Sequence, residues 1–251
     1  MFVCPNCGGS LHHSDQGAQC ENGHAFDRAK EGYLNLLVAG RLPASTTAGD
    51  TAESLTARRR FLSSGMYAPI ADALANVIDN TNDVLDIGCG EGYYLSQVSS
   101  QKKYGLDISK RAVQMTSRLL PDAECVVASA YRIPVADQSC TTVMSVFSPH
   151  SMDEIMRVLH PSGRWFTVTP GPFHLKEMRP HSDDKIHERE QRRLQPPPQA
   201  KNAERIQFTL ELTDEAAYDL YTMTPLQWQA SAQSAVEHVR TVSVDVWLAT
   251  S

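Results

Sequence analysis

The sequence predicts an α/β fold, a mostly parallel, doubly wound sheet of seven strands, preceded by a small N-terminal metal-binding module. Three observations carry this. Short apolar runs alternate with helix-like segments from residue 83 onward, one such run ends in a glycine-rich turn at 88–92, and four metal-ligand side chains fall within residues 4–24.

A chain of 251 residues holds one large domain, or one of ordinary size with an appendage. The 41% hydrophobic and 21% charged content is that of a soluble globular protein. No run of about eighteen apolar residues occurs, and the N-terminus lacks the basic-then-apolar layout of a signal peptide, which predicts a cytoplasmic address. In that reducing compartment closely spaced cysteines more often hold metal than form disulfides. The net charge of −6 and a pI near 5.8 exclude a protein that coats nucleic acid by bulk charge, while leaving room for a local basic face.

Residues 1–36 have no long apolar period and read as a knuckle-and-hairpin unit with too small a core to fold unaided. Residues 39–50 are linker-like. From Glu53 to Asp79 two helices are expected, broken at Ser63–Gly65, with Leu55, Phe61, Leu62, Ile70, Leu74, Val77 and Ile78 as apolar faces. The runs 83–90, 102–109, 123–129, 141–148 and 163–170 read as parallel strands. Residues 205–212 and 241–250 flank a helical stretch (224–239) and complete the sheet with an antiparallel edge. The charged, Pro-rich segment 179–204 reads as an unpacked excursion.

In "VLDIGCGEG" a buried strand runs into Gly88, Gly90 and Gly92. A tight strand-to-helix turn leaves backbone N–H groups open, and glycine lets a ligand approach the main chain; a plain structural turn has the same appearance. Asp86 precedes the turn. Asp107 ends the next strand, 19 residues after Gly88, near the spacing at which a carboxylate meets a ribose hydroxyl pair, so the ligand reads as a nucleoside. Glu91 within the loop would repel a phosphate and suits a sulfonium and an ammonium. These residues resemble the first motif of S-adenosylmethionine-dependent methyltransferases, D-x-G-x-G-x-G, and the similarity continues through 128–139 and 153–170. The resemblance implies a Rossmann-like class I methyltransferase domain with S-adenosyl-L-methionine as co-substrate.

Cys4, Cys7, Cys20 and His24 form C-x2-C-x12-C-x3-H, a donor set that closes a tetrahedron around structural zinc with no position open for catalysis. His12 and His13 are competing ligands; His24 is preferred because it completes the second knuckle.

The order of zinc cluster, "HAFDRAKEGYLNLL" (24–37), "GDTAESLTARRRFLSSGMY" (49–67), "DIGCGEGYY" (86–94), "TPGPFHL" (169–175) and "MTPLQW" (223–228) resembles the zinc-containing bacterial 23S ribosomal RNA (guanine-N1)-methyltransferases of the RlmA type. That likeness implies zinc on Cys4, Cys7, Cys20 and His24, cofactor contacts from Tyr67, Gly90, Glu91 and His174 beside Asp86, Gly88 and Asp107, 23S rRNA as partner, and a homodimer. Without the family, Tyr67 reads as a packing aromatic and His174 as a capping residue. The sequence departs from the family at 179–204, where relatives carry a more apolar, helical stretch. The implied division is 1–36 for the zinc-binding RNA-recognition module, 37–80 for a linker and helical lead-in, and 81–251 for the methyltransferase domain.

Guanine N1 carries a proton that some group must take, and the base must be unpaired or flipped to be reached. Phe147, Ser148, Pro149 and His150 lie near the expected site; His150 reads either as a base or as an exposed loop histidine, and no catalytic residue is assigned. Arg58, Arg59 and Arg60 are candidate phosphate contacts of which at least one should be solvated or paired. A small-molecule methyltransferase and a non-catalytic zinc-dependent RNA-binding module are the rival readings. Residues 1–43 hold three basic residues (Arg28, Lys30, Arg41) and four acidic ones (Asp15, Glu21, Asp27, Glu31), so an RNA grip there must read shape.

Overall fold

A computed structural model describes residues 1–38, 50–78, 82–179, 193–228 and 238–251. Asp79, most of 39–50, and parts of 179–204 and 224–239 lie outside the described residues. The chain forms two compact units, one of residues 1–50 and 75–165, the other of residues 51–74 and 166–251.

In the first unit, strands β1 (Leu11–His13), β2 (Gly17–Cys20) and β3 (Ala25–Asp27) make a small antiparallel sheet. A two-residue strand, β4 (Leu34–Asn35), then leaves it and pairs in parallel with β7 (Glu124–Val127). Beyond β7 follow β6 (Lys103–Asp107), β5 (Val84–Ile87) and β8 (Cys140–Val146), each parallel to its neighbour. Helix α3 (Tyr93–Gln97) joins β5 to β6, α4 (Lys110–Leu119) joins β6 to β7 and α5 (Met152–Val158) follows β8; every residue of β5 is buried, as a parallel strand covered on both faces requires. Ser109 and Ser151 cap α4 and α5 by accepting from Ala112 and Glu154 N–H groups, both at 3.3 Å.

The N-terminal module is built into this unit. Phe2 is 4% exposed and packs edge-on to Tyr104 with ring centroids 5.9 Å apart; Val3 N–H donates to Pro134 O at 2.9 Å and Leu36 N–H to Val127 O at 2.9 Å. Tyr33 closes a cluster with Val113, Cys125 and Val127. Burying aromatic and leucine side chains such as Phe2, Tyr33, Leu34 and Leu36 contributes about 1.5–3 kcal/mol each, stabilisation that the small module's own core lacks. Glu31 Oε1 accepts from Gln114 at 2.9 Å and Arg118 at 2.8 Å.

Strand β9 (Leu159–Pro170) begins in the first unit and ends in the second. There it pairs antiparallel with β11 (Thr241–Thr250), which pairs antiparallel with β10 (Asn202–Glu211). Helices α1 (Ala52–Ser63), α2 (Ala68–Val77) and α6 (Asp214–Thr222) contribute to this half; α2 runs on past the unit boundary, and the break between α1 and α2 is where the sequence puts it.

Two expectations change. Among the described residues the larger sheet has eight strands, because Leu34–Asn35 adds one to the seven expected, and a two-residue run is too short to show a period. Asn202–Glu204, assigned to the excursion, open β10 because Thr250, Ala249 and Leu248 stand opposite as partners. Residues 225–228 form a short 3-10 turn. No helix among the described residues is long and apolar enough to cross a membrane.

Candidate functional site

The glycine turn links β5 to α3 at the carboxyl ends of β5 and β6. Gly88 adopts φ +76°, and a Cβ there would lie 1.8 Å from Ser148 Oγ, so the position admits glycine alone. The turn's N–H groups are not open as the sequence reading expects. Those of Gly88 and Cys89 donate to Leu106 O at 2.8 and 3.0 Å, and that of Gly90 to Asp107 Oδ2 at 3.0 Å. The end of β6 stands beside the loop, and its carbonyl and carboxylate are acceptors within reach. From α4, Thr116 Oγ1 donates to Gly90 O at 2.8 Å.

Three carboxylates surround this turn. Asp86 is 2% and Glu91 3% exposed; Asp107, half-buried at the end of β6, also accepts from Ser109 N–H at 2.8 Å. Burial first, then the charges of Asp107 and Glu91, push the Asp86 carboxyl well above its ordinary range. Asp86 Oδ1 is buried with no hydrogen-bond partner among the described residues. Like charges held in a poorly solvated place repel, and a cation relieves them. The donor set therefore fits a ligand carrying a sulfonium and an ammonium, and disfavours one led by phosphates.

Tyr67 and His174 come together in the second unit, with ring centroids 6.3 Å apart. Tyr67, at the mouth of α2, packs edge-on to Phe61 at 5.1 Å and Phe208 at 6.4 Å. His174 is 8% exposed; its Nδ1 accepts from Asp245 N–H at 3.4 Å. Burial, reinforced by the positive charges of Arg179 and Arg193, lowers its pKa to about 3, so the imidazole is neutral. Beneath it Asp245 takes both ends of Arg205, at 2.8 and 2.9 Å. Burial alone would raise the Asp245 carboxyl, yet the Arg205 hydrogen bonds and charge bring it below its ordinary value. The sequence reading missed Asp245 and Arg205, although an aspartate within the otherwise apolar run 244–249 was the available signal.

At the N-terminus the knuckles close through Gly8 N–H to Cys4 O at 2.8 Å and Gly23 N–H to Cys20 O at 2.9 Å. The ligand atoms of Cys4, Cys7, Cys20 and His24 all lie within 4.8 Å of one another. Individual edges are 3.6 Å for Cys4 Sγ to His24 Nδ1, 3.3 Å for Cys20 Sγ to His24 Nδ1 and 3.7 Å for Cys7 Sγ to Cys20 Sγ. A zinc tetrahedron with bonds of about 2.3 Å to sulfur and 2.0–2.1 Å to nitrogen has edges near 3.5–3.8 Å, so the cluster fits that ion. The side chain of Asn22 and the backbone of Gly9 bring the Cys7 thiol down to about 6, favouring the thiolate that metal needs. His12 and His13 are outside the cluster; His13 Nδ1 faces Arg28 at 3.1 Å. All six cysteines are free of disulfides.

Of the three consecutive arginines, Arg60 pairs with Asp219 (Nε to Oδ2 2.9 Å) and Arg58 donates to Met223 O at 3.0 Å, so these two serve packing within the second unit. In the first unit, Tyr93, Tyr94 and Phe147 form a run of edge contacts, at 5.1 Å for the tyrosine pair and 6.4 Å for Tyr94 with Phe147.

Comparison with known proteins matches residues 2–41 to the family model described as "RlmA, N-terminal", a zinc ribbon, and residues 85–167 to the one described as "Methyltransferase domain". The chain is 35% identical to the 23S rRNA (guanine(748)-N(1))-methyltransferase of Streptomyces fradiae, over 90% of this chain and 85% of that one. It is 32% identical to a putative 23S rRNA (guanine-N(1)-)-methyltransferase of Micromonospora griseorubida, covering 97% and 92%. With another putative 23S rRNA (guanine-N(1)-)-methyltransferase, from Bacillus subtilis, identity is 31%, covering 92% and 88%.

Proposed function

Because the chain belongs to the 23S rRNA (guanine-N1)-methyltransferase family, we propose that it transfers a methyl group from S-adenosyl-L-methionine to N1 of one guanine in a hairpin loop of 23S rRNA. One observation carries the reading: the zinc-ribbon and methyltransferase signatures, each matched separately, fold here as parts of one compact unit. The ribbon is the RNA-recognition module (1–36), residues 37–80 lead into the methyltransferase domain (81–251), and the enzyme works in the cytoplasm as a homodimer.

When bound, S-adenosylmethionine supplies an electrophilic methyl on a good leaving group, so the protein's task is positioning. Asp86 and Glu91 supply negative charge to a cationic ligand, Gly88 lets the turn close against Ser148 beside the cofactor, Gly90 allows close approach to the main chain, and Asp107 accepts from ribose hydroxyls. Tyr67 and neutral His174 are further cofactor contacts. Cys4, Cys7, Cys20 and His24 hold a structural zinc. A loop guanine exposes its Watson–Crick edge without the cost of opening a stem, and aromatic side chains such as Phe147 give it a surface to stack on.

The test is transfer of labelled methyl from S-adenosylmethionine to hypomodified large-subunit RNA, mapped by reverse transcription, which stops at N1-methylguanine. A stop at one hairpin-loop guanine supports the reading. Label on small molecules alone, or cofactor binding with no transfer, overturns it. Sedimentation at micromolar concentration tests the dimer.

A further inference from the structure

The reaction needs an acceptor for the N1 proton, and the described residues of the first unit contain an imidazole set for that task. His150 follows β8, the strand that pairs with β5, and lies two residues after Ser148, whose Oγ closes on Gly88 of the cofactor turn. It is half-buried, not an exposed loop residue. Its Nδ1 is 2.9 Å from Ser148 O and 3.2 Å from Ser145 Oγ.

A carbonyl only accepts, so the hydrogen must reside on Nδ1, and the neutral ring carries its lone pair on Nε2. Buried Ser145 holds the same edge from the strand. The two contacts fix both the tautomer and the ring plane, and the Ser148 carbonyl goes on stabilising the ring once it is charged. Histidine bases in known enzymes are oriented in this way, by an acceptor on the far nitrogen. The carboxylates of the turn are poorer candidates. Asp107 is assigned above to the ribose hydroxyls and also accepts from Gly90 and Ser109 N–H groups, and Asp86, with its raised carboxyl, is buried within the strand.

The geometry points to His150 Nε2 as the proton acceptor for guanine N1, a conclusion that rests on the methyltransferase reading above. As the N1 proton leaves, the former N1–H pair attacks the methyl carbon and becomes the N1–CH3 bond, and the S–CH3 bond breaks with its pair passing to sulfur. The proton moves to Nε2, and the imidazolium later releases it to water.

The experiment is single-turnover methylation of unmodified 23S rRNA by the zinc-loaded protein at saturating S-adenosylmethionine, comparing wild type with His150→Ala and His150→Gln. The expected result is a rate about 10²–10³-fold lower in both variants, with S-adenosylmethionine affinity and melting temperature close to wild type. Added imidazole should restore part of the rate in His150→Ala alone. His150→Gln keeps the test available if the alanine variant is unstable. Wild-type rates in both variants overturn the assignment while leaving the methyltransferase reading intact. A rate loss that imidazole does not restore, or that follows a loss of cofactor affinity, also overturns it by making His150 structural. If wild type places no label on guanine N1, the functional reading fails, and this assignment falls with it.

Discussion

Ser148 Oγ occupies the space that any side chain at residue 88 would need, 1.8 Å from where its Cβ would stand. Gly88→Ala meets that overlap and a left-handed φ of +76° together, which should cost about 2–5 kcal/mol. Chemical denaturation should show the loss, and equilibrium dialysis a sharp fall in S-adenosylmethionine affinity. Adding Ser148→Gly should return the overlap share and leave the backbone share. A Gly88→Ala protein with wild-type stability would show that the turn relaxes freely.

Zinc removal should reach well beyond the ribbon. Structural zinc contributes on the order of 10 kcal/mol to small ribbons, and this one sends Leu34 and Asn35 to pair with Val126 and Val127. Cys4→Ser or a strong chelator should therefore raise amide hydrogen exchange at Leu36, whose N–H donates to Val127 O, as well as in residues 4–24. Exchange that rises only within the ribbon would contradict this coupling.

His174 should make the second unit sensitive to acid. Its folded pKa is about 3 against about 6.5 unfolded. Below pH 6.5 the unfolded chain therefore takes a proton that the folded one refuses, and stability declines progressively toward pH 3. At pH 5 the loss from this group is about 2 kcal/mol. His174→Gln should flatten the stability profile between pH 7 and 5; an unchanged slope would assign the acid sensitivity elsewhere.

Asp86 works in the opposite direction. With its folded pKa raised, wild type gains relative stability at low pH and loses it as pH rises from about 4 through the folded value. Asp86→Asn removes the buried charge, so at pH 8 without ligand the variant should melt above wild type while binding S-adenosylmethionine more weakly. Stabilisation together with unimpaired binding would dissociate Asp86 from the cofactor.

Much of the fold was legible because its signals are local. The strand runs, the Ser63–Gly65 break and the ligand spacing of Cys4, Cys7, Cys20 and His24 each show within a few residues. What escaped depends on distant parts of the chain. Leu34–Asn35 becomes a strand only because β7 offers an unpaired side. The N–H groups of Gly88 and Gly90 are engaged only because β6 ends beside them. His150 is indistinguishable from an exposed loop histidine until Ser145 and Ser148 close on its Nδ1. Asp245 is one polar letter in a strand until Arg205, 40 positions away, pairs with it.

The two-residue strand Leu34–Asn35 has one more consequence. Without it, β7 would present an edge of unsatisfied donors and acceptors at Val126 and Val127, a template on which a second chain could add. The ribbon thus guards the sheet against self-association, and metal starvation would be expected to yield aggregates as well as a loss of activity, measurable as light scattering that zinc suppresses.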